Sequence, residues 1–83
     1  MNKQLIYKYI NAITKSDISN YLKKEIIDIN NNDIDIIYDY LKNNTSKVIN
    51  HPLESLEIIK DNIDNNTYTK LLDLYNKYKY FIE

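Results

Sequence analysis

No glycine stands anywhere in these 83 residues. Glycine is the residue that enters positive-φ turns and close backbone approaches at little steric cost. Phosphate-cradling loops, dinucleotide fingerprints and type I′ hairpin turns all lean on it. A chain without it is steered toward helices joined by polar turns, where Asn and Asp take the special positions. Cysteine is absent too, so disulfides, thiolate metal sites and a cysteine nucleophile are excluded. Stability must then come from apolar burial, and the supply is adequate. The apolar fraction is 43%, with 15 Ile and 8 Leu, well above the disordered class.

Apolar residues follow a helical period almost throughout. Leu5, Ile6, Tyr9, Ile10 and Ile13 make one stripe and predict a first helix over about residues 3–13. Thr14 and Asp17 stand in capping-box spacing, with Asp in place of Glu. They open a second helix that runs to about Glu25 and buries Ile18, Tyr21 and Leu22. Ile26 to Ile29 fit either a helix end or an extended connection. Asn30-Asn31-Asn32-Asp33 is a start signal, because these side chains accept from the orphan N–H groups of a first turn. The third helix reaches about Lys42, with Ile34, Ile37, Tyr38 and Leu41 inward. Val48 and Ile49 read as a short apolar link. Pro52 suits the first turn of a fourth helix, about residues 52–64, and His51 before it is disfavoured in α conformation. Leu53, Leu56, Ile59 and Ile63 face in. A fifth helix, about 67–82, buries Tyr68, Leu71, Leu72, Tyr75 and Tyr78. Together these predict one all-α domain over residues 1–83, a compact bundle of four to five short helices. No apolar run approaches the ~20 residues of a membrane span. Lys8 and Asn11 break the first apolar stretch, which argues against a signal peptide, and a cytoplasmic setting is expected.

The chemistry-bearing patterns are sparse. Asp28, Asn30, Asn32 and Asp39 match positions 1, 3, 5 and 12 of a calcium loop. The turn position holds Asp33 instead of glycine, and the third helix runs across the second half, so helix capping is the better reading. His51 is the only histidine, with no adjacent nucleophile or ligand pattern, and reads as a turn or cap residue. Glu54 with Glu57, and Asp61 with Asp64, sit at i, i+3 and read as solvated helix faces. No catalytic residue, metal or cofactor is expected, and the chain is not expected to be an enzyme.

Nine tyrosines are the most unusual feature. Tyr7, Tyr40 and Tyr80 fall off the main apolar stripes, where a tyrosine can mark an interface, its ring supplying area and its hydroxyl staying satisfied. With Lys77 they are the candidate partner-binding residues. Charge is uneven. Residues 1–24 hold five Lys against one Asp, residues 25–64 nine acids against three Lys, and residues 65–83 three Lys against two acids. Either this steers an association or the basic ends fold over the acidic middle. All eleven basic residues are Lys, and Asn, Ile and Tyr are also over-used, as codon bias in an AT-rich genome would produce.

Two functions follow. The first is a small protein-binding or regulatory module, its partner another protein or itself as a homodimer, since the apolar faces of the first and last helices exceed what so small a core hides. The second is a nucleic-acid-binding helix-turn-helix. It would use the aromatic–basic segment Tyr78-Lys79-Tyr80-Phe81 with Lys70 and Lys77, and would turn Thr67, Thr69, Lys70, Asn76 and Lys77 outward. The absence of Arg and an isoelectric point near 5.8 weigh against the second.

Ile10-Asn11-Ala12-Ile13-Thr14, the helix carrying Tyr21-Leu22, the Asp33 to Leu41 helix and the Tyr68 to Tyr78 helix together resemble the YqfT-like domain-of-unknown-function family. These are short helical proteins of low-GC Gram-positive bacteria. The resemblance covers about residues 9–79. It implies a helical fold and a cytoplasmic setting, and because the family has no assigned activity it implies no functional residue.

Overall fold

Five of the six helix starts can be traced to a local signal or to a neighbour that supplies one. The structure is a computed structural model that describes residues 2–82, with side chains for residues 2–80. It contains α1 (Lys3–Ala12), α2 (Lys15–Glu25), α3 (Asn31–Asn43), α4 (Thr45–Asn50), α5 (Pro52–Ile59) and α6 (Asn65–Ile82), with a 3-10 turn over Lys60–Asn62 between the last two. Among the described residues there is no strand. The Asn2 side chain caps α1 by accepting from the Gln4 N–H at 2.8 Å. Thr14 and Asp17 form the reciprocal capping box of α2, at 3.0 and 3.1 Å. Asn30 caps α3 through the Asp33 N–H at 2.7 Å, so the Asn/Asp cluster serves as a helix cap. Pro52 opens α5.

The α2–α3 connection shows how a glycine-free chain turns. Ile26 closes α2 through its N–H to the Leu22 carbonyl, and Asp28 then takes φ 62°, the left-handed region. Asp is among the few residues other than glycine that tolerate it. Ile26 is thereby pinned at 0% exposure in the core.

Two elements differ from the sequence expectation. Val48 and Ile49 lie within a helix of their own, α4, instead of a link. Asn44, at φ −134° and ψ 38°, breaks the chain between α3 and α4 for one residue only. The Thr45 hydroxyl donates back to the Leu41 carbonyl at 2.9 Å and holds the two helices end to end. The predicted fourth helix ends early as an α-helix at Ile59. It continues as the 3-10 turn, after which Ile63 is extended and buried.

The core is built from Ile13, Ile18, Leu22, Ile26 and Ile34, with Ile29, Ile37, Tyr38, Leu41 and Leu71 packed on it. α3 is its centre and packs against α1, α2, α4 and α5. Its two ends also finish other helices. At one end the buried Asp33 carboxylate accepts from the Asp64 N–H at 3.1 Å and the Thr67 hydroxyl at 2.7 Å, closing the start of α6. At the other end the Lys42 ammonium donates to the Ile10 and Asn11 carbonyls at 2.8 and 3.0 Å, closing the end of α1. A cation there also opposes the negative end of the α1 dipole. The radius of gyration is 12.0 Å, that of a close-packed chain of this length.

Several residues expected inward are not. Leu5, Tyr9, Tyr21, Leu53 and Tyr78 are exposed. The α1 stripe is two residues wide, and α3 and α4 cover only its Ile10 flank. A chain this short has too few elements to cover both sides of every stripe.

Candidate interaction surface

Tyr9 on α1, Tyr21 on α2 and Tyr78 on α6 are large rings that packing leaves uncovered. They are 67%, 43% and 41% exposed. Burial pushes the Tyr21 phenol above its ordinary value, and the Glu25 carboxylate and the Tyr78 and Tyr9 phenols add to the rise. The Tyr9 and Tyr78 phenols thus lie close enough to Tyr21 for a charge on them to act on it. Leu5, one helical turn before Tyr9, is also exposed and extends the face along α1. Lys77 sits over the Tyr78 ring, its ammonium 5.3 Å from the ring centre. The result is an aromatic and aliphatic patch edged by lysine. Sequence periodicity put these tyrosines in the core, because it gives spacing along a helix but not which flank a neighbour covers.

The four tyrosine and lysine candidates named from the sequence divide between two environments. Tyr80 is 81% exposed, with the Lys79 ammonium 5.4 Å from its ring, and Lys77 is exposed beside Tyr78. Tyr7 is half-buried, and its hydroxyl accepts from the Asn50 side chain at 3.4 Å, tying α1 to α4. Tyr40 is half-buried on α3 and lines a half-open apolar cavity bounded by α3, α4, α5 and α6. The Phe81 side chain, part of the aromatic–basic segment, lies outside the described residues.

The helix-turn-helix geometry needs one correction. Thr67, expected to face outward, is 2% exposed and bound to Asp33, because α3 supplies the cap that α6 needs. Thr69, Lys70, Asn76 and Lys77 do face out. The start of α6 lies beside the exposed acids Asp61 and Asp64, and Tyr68 donates to Glu57 at 2.9 Å, an ion-assisted bond that raises the Tyr68 phenol. In helix-turn-helix proteins the first residues of the second helix contact bases, and here that end carries negative charge.

His51 is exposed, and its carbonyl accepts from the Ser55 hydroxyl at 3.0 Å. Among the described residues no three His, Cys, Asp or Glu side chains are grouped to hold a metal, and no helix is long and apolar enough to cross a membrane. No family model matches the chain, and no curated protein and no solved structure matches it.

Proposed function

We propose that this chain is a small protein-binding or regulatory module that docks its partner on the Tyr9–Tyr21–Tyr78 patch. The observation that carries the reading is the exposure of three tyrosines on three helices, two of them near enough to the third to raise its phenol. Tyrosine brings a large rigid ring at low entropy cost and a hydroxyl that stays satisfied in a wet interface, which is why it is enriched among residues that dominate binding energy. Leu5 adds apolar area, and Lys77 supplies a charged edge that favours a partner with acidic groups around an apolar centre. The partner is another protein or a second copy of the chain.

The test is capture from lysate of the source cells with the tagged chain, with and without nuclease. The wild type is compared with the Tyr9→Ala/Tyr21→Ala double variant. A discrete protein held in both aliquots and lost roughly tenfold or more by the variant, with the helical signal of the variant intact, supports the reading. A dimeric mass by sedimentation that reverts to monomer in the variant identifies the partner as a second copy. Capture that disappears with nuclease overturns it in favour of nucleic acid, with Lys77 and Tyr80 as the contacts.

A further inference from the structure

Two exposed faces of the molecule carry opposite charge. The first is the tyrosine patch. Lys8 adjoins Tyr9, Lys24 follows Tyr21 by one helical turn, and Lys77 lies over the Tyr78 ring, all three exposed. The acids beside these rings do not offset the lysines. Asp17 takes the Thr14 N–H, and Glu25 is half-buried. The second face is the outer side of α5. Leu53 and Ile58 are 49% and 46% exposed there. Helical spacing sets the exposed Glu54 and Glu57 between them, and the exposed Asp61 follows in the 3-10 turn. Lys60 turns to the Tyr68 ring, 5.1 Å from its centre, and Lys47 meets Glu54 at 3.5 Å, so this face keeps a surplus of carboxylates. Glu57 holds the Tyr68 hydroxyl near the start of α6. Tyr78 stands ten residues further along that helix, a rise of about 15 Å. One molecule therefore cannot cover its own α5 face with its own patch.

We propose that the tyrosine patch of one molecule docks on the α5 face of a second copy, so that the chain associates head to tail. The inference rests on the patch reading above and names its partner. Two patches facing each other would set lysine against lysine. The α5 face instead offers aliphatic side chains to the rings and carboxylates to the lysines, the complementarity that selects one pairing over another. Such a contact leaves a free patch at one end and a free α5 face at the other, so copies add until a ring closes.

Sedimentation of the full-length chain from about 1 µM to about 1 mM reads the mass across the range of weak to moderate affinity. The mass should rise past that of a dimer and fall toward the monomer at about 1 M salt, where charges are screened within ~3 Å. Lys24→Glu/Lys77→Glu and Glu54→Lys/Asp61→Lys should each weaken association roughly tenfold or more. Their equimolar mixture should regain the wild-type mass, because every acidic patch then meets a basic α5 face and every basic patch an acidic one. Where either charge reversal fails to fold, Leu53→Ser/Ile58→Ser mixed with Tyr9→Ala/Tyr21→Ala takes its place. Each of these keeps one face intact, so the mixture should form a heterodimer and nothing larger. A wild type that is monomeric throughout overturns the inference and leaves the patch reading to the lysate capture. A mass that stops at the dimer, or a mixture that stays monomeric, overturns the head-to-tail pairing. Self-association that Tyr9→Ala/Tyr21→Ala leaves unaltered removes the patch from the contact and counts against the patch reading as well.

Discussion

Asp33 is 1% exposed, a position where an isolated carboxylate would be costly. It is instead the centre of a small network. Its own N–H is held by Asn30, its carboxylate takes the Thr67 hydroxyl and the Asp64 N–H, and Asn30 donates to the Asp64 carboxylate at 2.7 Å. Replacing Asp33 with Ala orphans two buried or part-buried donors at once, for an expected loss of about 2–3 kcal/mol. Thr67→Val removes one bond and should lose about 1 kcal/mol. Urea unfolding of both variants measures the difference, and equal small losses would show the network to be incidental. The sequence marks Asp33 as a first-turn acid of its own helix. Its bond to a helix that starts some 30 residues later leaves no trace in local pattern. The apolar positions are far more legible, since Ile10, Ile13, Ile18, Leu22, Ile34, Ile59 and Ile63 are all buried where period placed them.

Starts of elements are written locally, which is why most of them are readable in the sequence and the capping box of α2 is readable to the residue. Bonds from the Thr14 N–H and then the Thr14 hydroxyl hold the Asp17 carboxyl below the usual 3.8. A carboxyl depressed in the folded state adds stability above its unfolded value and loses it as pH falls through the folded one. Wild type should therefore melt above Asp17→Asn at neutral pH, and the gap should close in acid well below 3.8. Thermal melts followed by circular dichroism across that range check it, and a gap that persists in strong acid would mean that Asp17 acts other than as an anion. Ends and short elements are less legible. α4 has six residues, too few to display a period, and the polar run before it reads as a stop. The α5 end depends on Ile63 turning into the core, which is a tertiary event.

Across the whole molecule the uneven charge is partly neutralised by folding, since Lys15 from the basic end pairs with Asp35 from the acidic middle. Both side chains are about half exposed, so the pair contributes little to stability. The fold class follows from composition and period, whereas the candidate surface does not. It depends on which flanks of α1, α2 and α6 are left without a neighbour, and that is decided only when all six helices are assembled. The sequence pointed to off-stripe tyrosines, of which Tyr7 and Tyr40 lie between elements, while Tyr9, Tyr21 and Tyr78 came from the stripes. The central place of α3 has a further consequence in time. A helix packed by four others, whose two ends also finish α1 and α6, has no local way to open. Its backbone amides should exchange with deuterium only when the entire chain unfolds, while the outer turns of α1 and α6 exchange early by fraying. Native-state exchange followed residue by residue should rank Ile37 to Leu41 slowest. Amides of α6 that outlast them would place the last region to open elsewhere.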